Sequence, residues 1–262
     1  MIRLVVANQR GGVGKTTSVI TLARCMAEMG KRVLIVDTDS QGSIAMALAL
    51  KPTRFLADFV CKDYSLSECI TPAYERIDVV CSNRSTLAAE TQLSATVAKE
   101  MTFYSLFKGL EEHYDALLFD VAPSISHLQS CSLAYAQNVL IPVAMDALSV
   151  EGAKSSLSSI SVLNQFFAIT AGCVGFMPTQ VDNRLRMTEM VLNSLKIMAD
   201  QANTRVIHEI HQDQAVNHAM RSKQFLHDYD PRSKALQDYR AACKEILELI
   251  EVADEEAATA AR

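Results

Sequence analysis

The chain has 262 residues, of which 49% are apolar and 21% charged, a balance that excludes a disordered or fibrous protein and predicts one sizeable folded core. A net charge of −5 provides no overall attraction to nucleic acid, so any contact with DNA would need a local basic face. The seven cysteines stand singly, without C-x-x-C spacing, which excludes a disulfide frame or a zinc site and reads as reduced thiols.

Residues 2–7 form an apolar run that predicts a strand, with no secretory signal ahead of it. A glycine-rich turn follows, and over residues 16–29 Ile20, Ala23 and Ala27 recur at helical spacing until Gly30 ends the helix. Residues 32–37, reading RVLIVD, predict a second strand that closes on an acid, so the first unit is strand, helix, parallel strand. Further strand-like runs lie at 77–81, 116–120, 139–143 and 173–177, separated by longer segments of helical periodicity. The expected fold class is therefore α/β, a mostly parallel twisted sheet with helices on both faces, in a single domain over residues 1–250. Residues 251–262 are acidic and small and predict a flexible tail at a fraying helix end, without the basic and bulky apolar faces of a membrane-binding helix. No stretch approaches the roughly 18 apolar residues of a membrane span, and the expected location is the cytoplasm.

In such sheets chemistry gathers beyond the carboxyl ends of the strands. Three candidates lie there: the glycine-rich loop after the first strand, Asp37 and Asp39 after the second, and Asp120 after Leu117, Leu118 and Phe119. A glycine-rich loop that opens a helix turns successive backbone N–H groups towards an anion, and the helix dipole adds partial positive charge. Lys15 is spaced to reach β- and γ-phosphates, the Thr16 hydroxyl to ligate Mg²⁺, and Thr17 to face the α-phosphate. Nucleotide binding follows. The loop departs from the usual G-x-x-x-x-G-K-[ST] pattern, because Gln9 occupies the position of the first glycine.

The stretch VANQRGGVGKTT at residues 6–17 resembles the deviant Walker A loop of the ParA/MinD family of partition ATPases, K-G-G-x-G-K-[ST]-[ST]. Gly11, Gly12, Gly14, Lys15, Thr16 and Thr17 match that pattern, Val13 fills its open position, and Arg10 replaces its signature lysine. VDTDSQGS at 36–43 is similar to the family's D-x-D-P-Q-G-N segment, and YD at 114–115 through FDVAPS at 119–124 to its Walker B strand. Glu151-Gly152, Asp182-x-Arg184 and the run from Tyr229 to Ser233 also fall in family order. The resemblance covers nearly the whole chain and implies a P-loop NTPase that binds ATP and Mg²⁺. It implies that Asp120 holds Mg²⁺ through water, and that Asp39 couples the metal and the attacking water to a switch loop. It also implies a homodimer that sandwiches two nucleotides, with Gly12 a glycine because two backbones meet there over a phosphate.

Arg10 leaves three readings open: an arginine finger acting on the partner's nucleotide, a clamp that holds ATP and the dimer while hydrolysing poorly, or a solvated loop arginine. Relatives of this type bind nonspecific DNA and act with a ParB-like or other cargo-adaptor protein, without a membrane. Arg184 matches one DNA-contacting position and Arg186 neighbours it. The family's I-P-R-N-x-R-L-x-E-A-P-S loop becomes IHQDQAVNHAMR at 210–221, without its arginines and prolines, so Arg221, Lys223, Arg232 and Lys234 are the expected substitute patch. His208, His211 and His218 read as surface histidines. A cluster-bearing redox protein would need paired cysteines at the dimer face, and although Cys131 follows the Walker B strand, no matching glycine-rich cysteine segment lies upstream. No helix-turn-helix segment precedes the loop. The expected activity is a slow, partner-stimulated ATPase switch acting in DNA partition or cargo positioning, and in the nucleoid if DNA is bound; the alternative is an ATP-dependent scaffold with little hydrolysis.

Overall fold

A computed structural model describes residues 1–62, 64–167 and 169–260. Every apolar run becomes a strand: β1 (Ile2–Val6), β2 (Val33–Asp37), β4 (Ile77–Val80), β5 (Ala116–Asp120), β6 (Asn138–Ala144) and β7 (Gly172–Thr179), joined by β3 (Ile70–Tyr74). The order in the sheet is β3-β4-β2-β5-β1-β6-β7, and β3 alone runs antiparallel to its neighbour. That edge strand has no counterpart in the sequence reading. Its ITPAY sequence is only half-buried and carries Pro72, which a central strand would not tolerate.

The central strands have no polar face because both faces are covered. Along β1, Val5 enters one core while Leu4 and Val6 enter the other; Leu34 and Val36 alternate with Val33 and Ile35 in β2, as Leu117 and Phe119 do with Ala116 and Leu118 in β5. Helices His127–Ala136, Ala147–Phe167 and Arg186–Gln201 cover the first face; Lys15–Glu28 and Lys234–Ala260 cover the second. Truncating a fully buried side chain such as Leu118 to alanine would cost about 2–5 kcal/mol at such a site.

The helix Lys15–Glu28 starts and ends one residue before the positions that periodicity suggests, and Gly30 closes it as expected. Gly30 has φ 85°, its N–H donates to Ala27 O at 2.9 Å and Lys31 N–H donates to Met26 O at 3.1 Å, the paired bonds of a Schellman stop. The last helix carries the acidic segment onward as far as Ala260; residues 261 and 262 lie outside the described residues. No helix among the described residues is long and apolar enough to cross a membrane.

Register brings the chemistry together. Val6 and Asp37 both pair with Asp120, so β1, β5 and β2 end at one level, with the glycine loop leaving β1 beside two acids.

Candidate functional site

Beyond these strand ends opens a cleft of 580 Å³ lined by Gly11, Gly12, Gly14, Lys15, Thr16 and Thr17, by Asp39 and Pro123, and on its far wall by residues between Ile210 and Asn217. Gly12 and Gly14 have φ 81° and 87°, a left-handed backbone that favours glycine, and nothing lies within 4 Å of where a Cβ would stand on Gly11, Gly12 or Gly14. The loop is therefore open where an anion would sit. Lys15 is buried and its ammonium donates to Asn8 O at 3.1 Å and Arg10 O at 2.9 Å, closing the loop on itself. Burial pushes its pKa down, opposed by the charges of Asp120 and Asp39.

Thr16 Oγ1 donates to Asp120 Oδ2 at 2.7 Å, while Asp120 Oδ1 is buried without a hydrogen-bond partner. An orphaned carboxylate oxygen beside a hydroxyl fits a small hard cation, which takes few protein ligands and keeps waters. Burial raises the Asp120 pKa to about 7, with Thr16 and Lys15 opposing and Asp39 adding to the rise. Asp37 has a different place from Asp39. It is fully buried, accepts from Asp39 N at 3.0 Å and Ile44 N at 3.3 Å, and is held well above the ordinary range by burial and by Asp120. Asp39 lines the cleft and accepts from Gln41 N at 2.9 Å, so its carboxylate shapes the turn as well as facing the loop. Gly42 closes that turn at φ 63°, where a Cβ would meet Ser82 O at 2.5 Å.

Arg10 is exposed, its backbone N–H held by Asn8 Oδ1 at 3.0 Å. Burial would raise the carboxyl of Asp146, but hydrogen bonds from Ser149 and, more weakly, the charge of Arg10 hold it below the ordinary range. The loop is braced by residues that sequence reasoning passed over. Asn8 Nδ2 donates to Pro142 O at 2.8 Å and Ser149 O at 3.2 Å, Thr179 Oγ1 donates to Val13 O at 2.9 Å, and Gln180 Nε2 to Gly12 O at 2.8 Å. A Cβ on Gly152 would meet Asn8 Oδ1 at 2.3 Å and Arg10 Cβ at 2.9 Å, so this glycine lets a helix pass against the loop. It is the glycine of the Glu151-Gly152 pair that falls in family order in the sequence.

The altered 210–221 segment lines the cleft as the far wall and is held by buried Asp238 and by its own Asp213. Buried Asp238 accepts from His211 N at 3.0 Å and lies 2.9 Å from His211 Nδ1 and 3.4 Å from His208 Nε2, with Lys234 also bonded to it. Asp213 caps the helix Gln214–Arg221 through Ala215 N at 2.9 Å and accepts from Ser233 Oγ at 2.7 Å. Among the described residues no group of three or more His, Cys, Asp or Glu could hold a metal ion.

The basic candidates are less unified. Arg184 shares a shallow 430 Å³ depression with His211, Gln212 and Gln214, but its guanidinium is paired with Asp182 at 2.6 and 2.8 Å. That pairing holds the Asp182 carboxyl down at about 2. Arg186 begins the next helix; Arg221 ends the helix Gln214–Arg221 and Lys223 follows it, and all three are exposed.

Residues 1–169 match the AAA domain family AAA_31. Sporulation initiation inhibitor protein Soj of Bacillus subtilis is 27% identical over 249 residues, covering 93% of this chain and 97% of that protein. Chromosome-partitioning ATPase Soj of Thermus thermophilus is 30% identical over 195 residues, 74% of this chain and 75% of that one. A solved structure described as cobyrinic acid a,c-diamide synthase from Mycobacterium smegmatis, with bound ADP and magnesium, is 25% identical with a TM-score of 0.80, covering 96% of each chain.

Proposed function

The chain belongs to the ParA/MinD family of partition ATPases, through AAA_31, and from that membership we propose that it is an ATP-dependent dimerising switch that hydrolyses ATP and acts in DNA partition or cargo positioning. The observation that carries the reading is the Thr16 hydroxyl against Asp120, whose second oxygen is buried and unpartnered, beside the buried ammonium of Lys15. ATP and Mg²⁺ are the ligands this set fits. Mg²⁺ held there would supply positive charge against the phosphates. The chain's own residues do the remaining work: the N–H groups and Lys15 hold the phosphates, Thr16 and Asp120 hold the metal, Thr17 faces the α-phosphate, and Asp39 orients water for in-line attack.

The domain proposed for this work is residues 1–250, with the acidic end outside it. Its output is surface binding by an ATP-bound homodimer, to nonspecific DNA through Arg184, Arg186, Arg221 and Lys223, and to a ParB-like or other cargo adaptor. Release of Arg184 from Asp182 would be part of DNA contact; a gel shift with ATP on unrelated duplexes at low salt tests it, and no shift would remove DNA from the reading.

Arg10 decides between switch and scaffold. It is exposed at the rim of the loop, free to reach a second subunit, and its planar fork suits phosphate better than an ammonium does. For a trans-acting arginine, ATP turnover per subunit rises with protein concentration, Arg10→Ala loses it by tenfold or more, and Arg10→Lys restores part. Turnover independent of concentration, with Arg10→Ala unchanged in rate and in ATP-dependent dimerisation, would eliminate both trans roles. Dimerisation on ATP without turnover would select the scaffold.

A further inference from the structure

Gln180, just past the end of β7, has a left-handed backbone with φ 55°, a conformation that costs any residue with a side chain. Its neighbours hold it there. Ile210 N donates to Pro178 O at 2.8 Å, Val181 N to Ile210 O at 3.0 Å, and Gln212 N to Val181 O at 2.9 Å, so both flanks of Gln180 are pinned to the far wall of the cleft. Strain of this kind persists where the surroundings impose it, and it invites a functional explanation.

The conformation places the Gln180 amide over the phosphate loop. Its Nε2 donates to Gly12 O at 2.8 Å, and the preceding residue's Thr179 Oγ1 donates to Val13 O at 2.9 Å. Two consecutive residues of the strand end thus hold two consecutive carbonyls of the loop. In a trans peptide the N–H points opposite to the C=O, so fixing these oxygens also fixes the direction of the Val13 and Gly14 N–H groups, away from β7. The loop needs such a fixture, because Gly11, Gly12 and Gly14 have no side chains of their own and nothing crowds them.

We propose that Gln180 is a positioning residue of the phosphate loop: its amide orders the Gly12–Val13 peptide before a nucleotide arrives, so less ordering is left to be done on binding. The inference rests on the nucleotide reading above and assigns Gln180 no contact with the ligand. It differs from the other account open to a residue on the cleft wall, a bond to base or ribose.

The test titrates wild type, Gln180→Met and Gln180→Gly with ADP and with inorganic tripolyphosphate, each with Mg²⁺, and follows thermal unfolding in parallel. Loss of one hydrogen bond corresponds to about two- to tenfold weaker binding. The expected result is that loss in both variants, equal for ADP and tripolyphosphate, because the clamp acts on the loop. Gln180→Gly removes the backbone strain, so its Tm stays level or rises while its affinity falls, a divergence that a merely structural role would not produce. A loss confined to ADP would overturn the proposal in favour of a base or ribose contact, and unchanged affinity for both probes would overturn it outright. If wild type bound neither probe, the nucleotide reading would fall and take the proposal with it.

Discussion

Asp120 is the residue on which most of the site's electrostatics turns. Burial lifts its pKa to about 7, and one of its oxygens has no partner, so in the free protein the ionised form is poorly served. A cation beside Thr16 would relieve both conditions at once. Asp120→Asn keeps the shape and removes the charge. The variant should be as stable as wild type without ligand, or more stable by about 1 kcal/mol, since a desolvated carboxylate has been removed. It should also lose the extra nucleotide affinity that Mg²⁺ gives wild type, by tenfold or more. Titrating ADP with and without Mg²⁺ against both proteins is the check. A full Mg²⁺ effect in the variant would strip Asp120 of its role.

At the scale of elements, the loop depends on how closely its neighbours pack. The helix Ala147–Phe167 approaches it at Gly152, where a methyl group would stand 2.3 Å from Asn8 Oδ1. Glycine to alanine inside an exposed helix ordinarily stabilises by about 1 kcal/mol, so Gly152→Ala carries an informative sign. Here it should destabilise by about 1–3 kcal/mol, because Asn8 also holds Pro142 O and Ser149 O and cannot give way without freeing them. Urea unfolding measures it, and a stabilised variant would mean that the helix stands off the loop. The same elements mark the limit of what the sequence discloses. Residues 116–120 read as a strand and are one, because a strand buried on both faces is apolar throughout and ends abruptly at Asp120. That Lys15, Thr16 and Asp120 stand together was legible, because the glycine loop and the acid that closes an apolar strand both mark strand ends. The bracing by Asn8, Thr179 and Gln180 was not, since those bonds cross 134 to 168 residues of chain and follow from strand order. β3 escaped notice because an edge strand with Pro72 has neither alternation nor an apolar run. His211 reads as a surface histidine, yet its partner Asp238 is buried and lies 27 positions away.

For the molecule as a whole, two buried groups pull stability in opposite directions as pH changes. His227 is buried where the helices Lys15–Glu28 and Lys234–Ala260 meet the helix Leu226–Tyr229, with Cys25 Sγ 3.5 Å and Glu28 Oε2 3.6 Å from its Nε2 and no partner for Nδ1. Burial lowers its pKa to about 4; Arg24 and Arg240 add to that and Glu28 opposes it. The unfolded chain, with an ordinary histidine near 6.5, binds the proton more readily, so this group costs nothing above that pH and costs progressively more as pH falls towards 4. Asp120 has the opposite sign. Its folded pKa lies above the ordinary carboxylate value, so the folded state binds the proton more readily, and stability is lost as pH rises from about 4 to about 7. Between pH 4.5 and 6.5 the two slopes, each at most about 1.4 kcal/mol per pH unit, oppose one another. Removing either group should therefore tilt the curve. His227→Leu should make stability fall more steeply with rising pH than in wild type, and Asp120→Asn should make it fall less steeply, with Asp37, also held above the ordinary range, still acting in the same direction as Asp120. Urea midpoints for the three proteins across that window give the comparison. Parallel curves for wild type and His227→Leu would show that His227 is not held neutral in the folded chain.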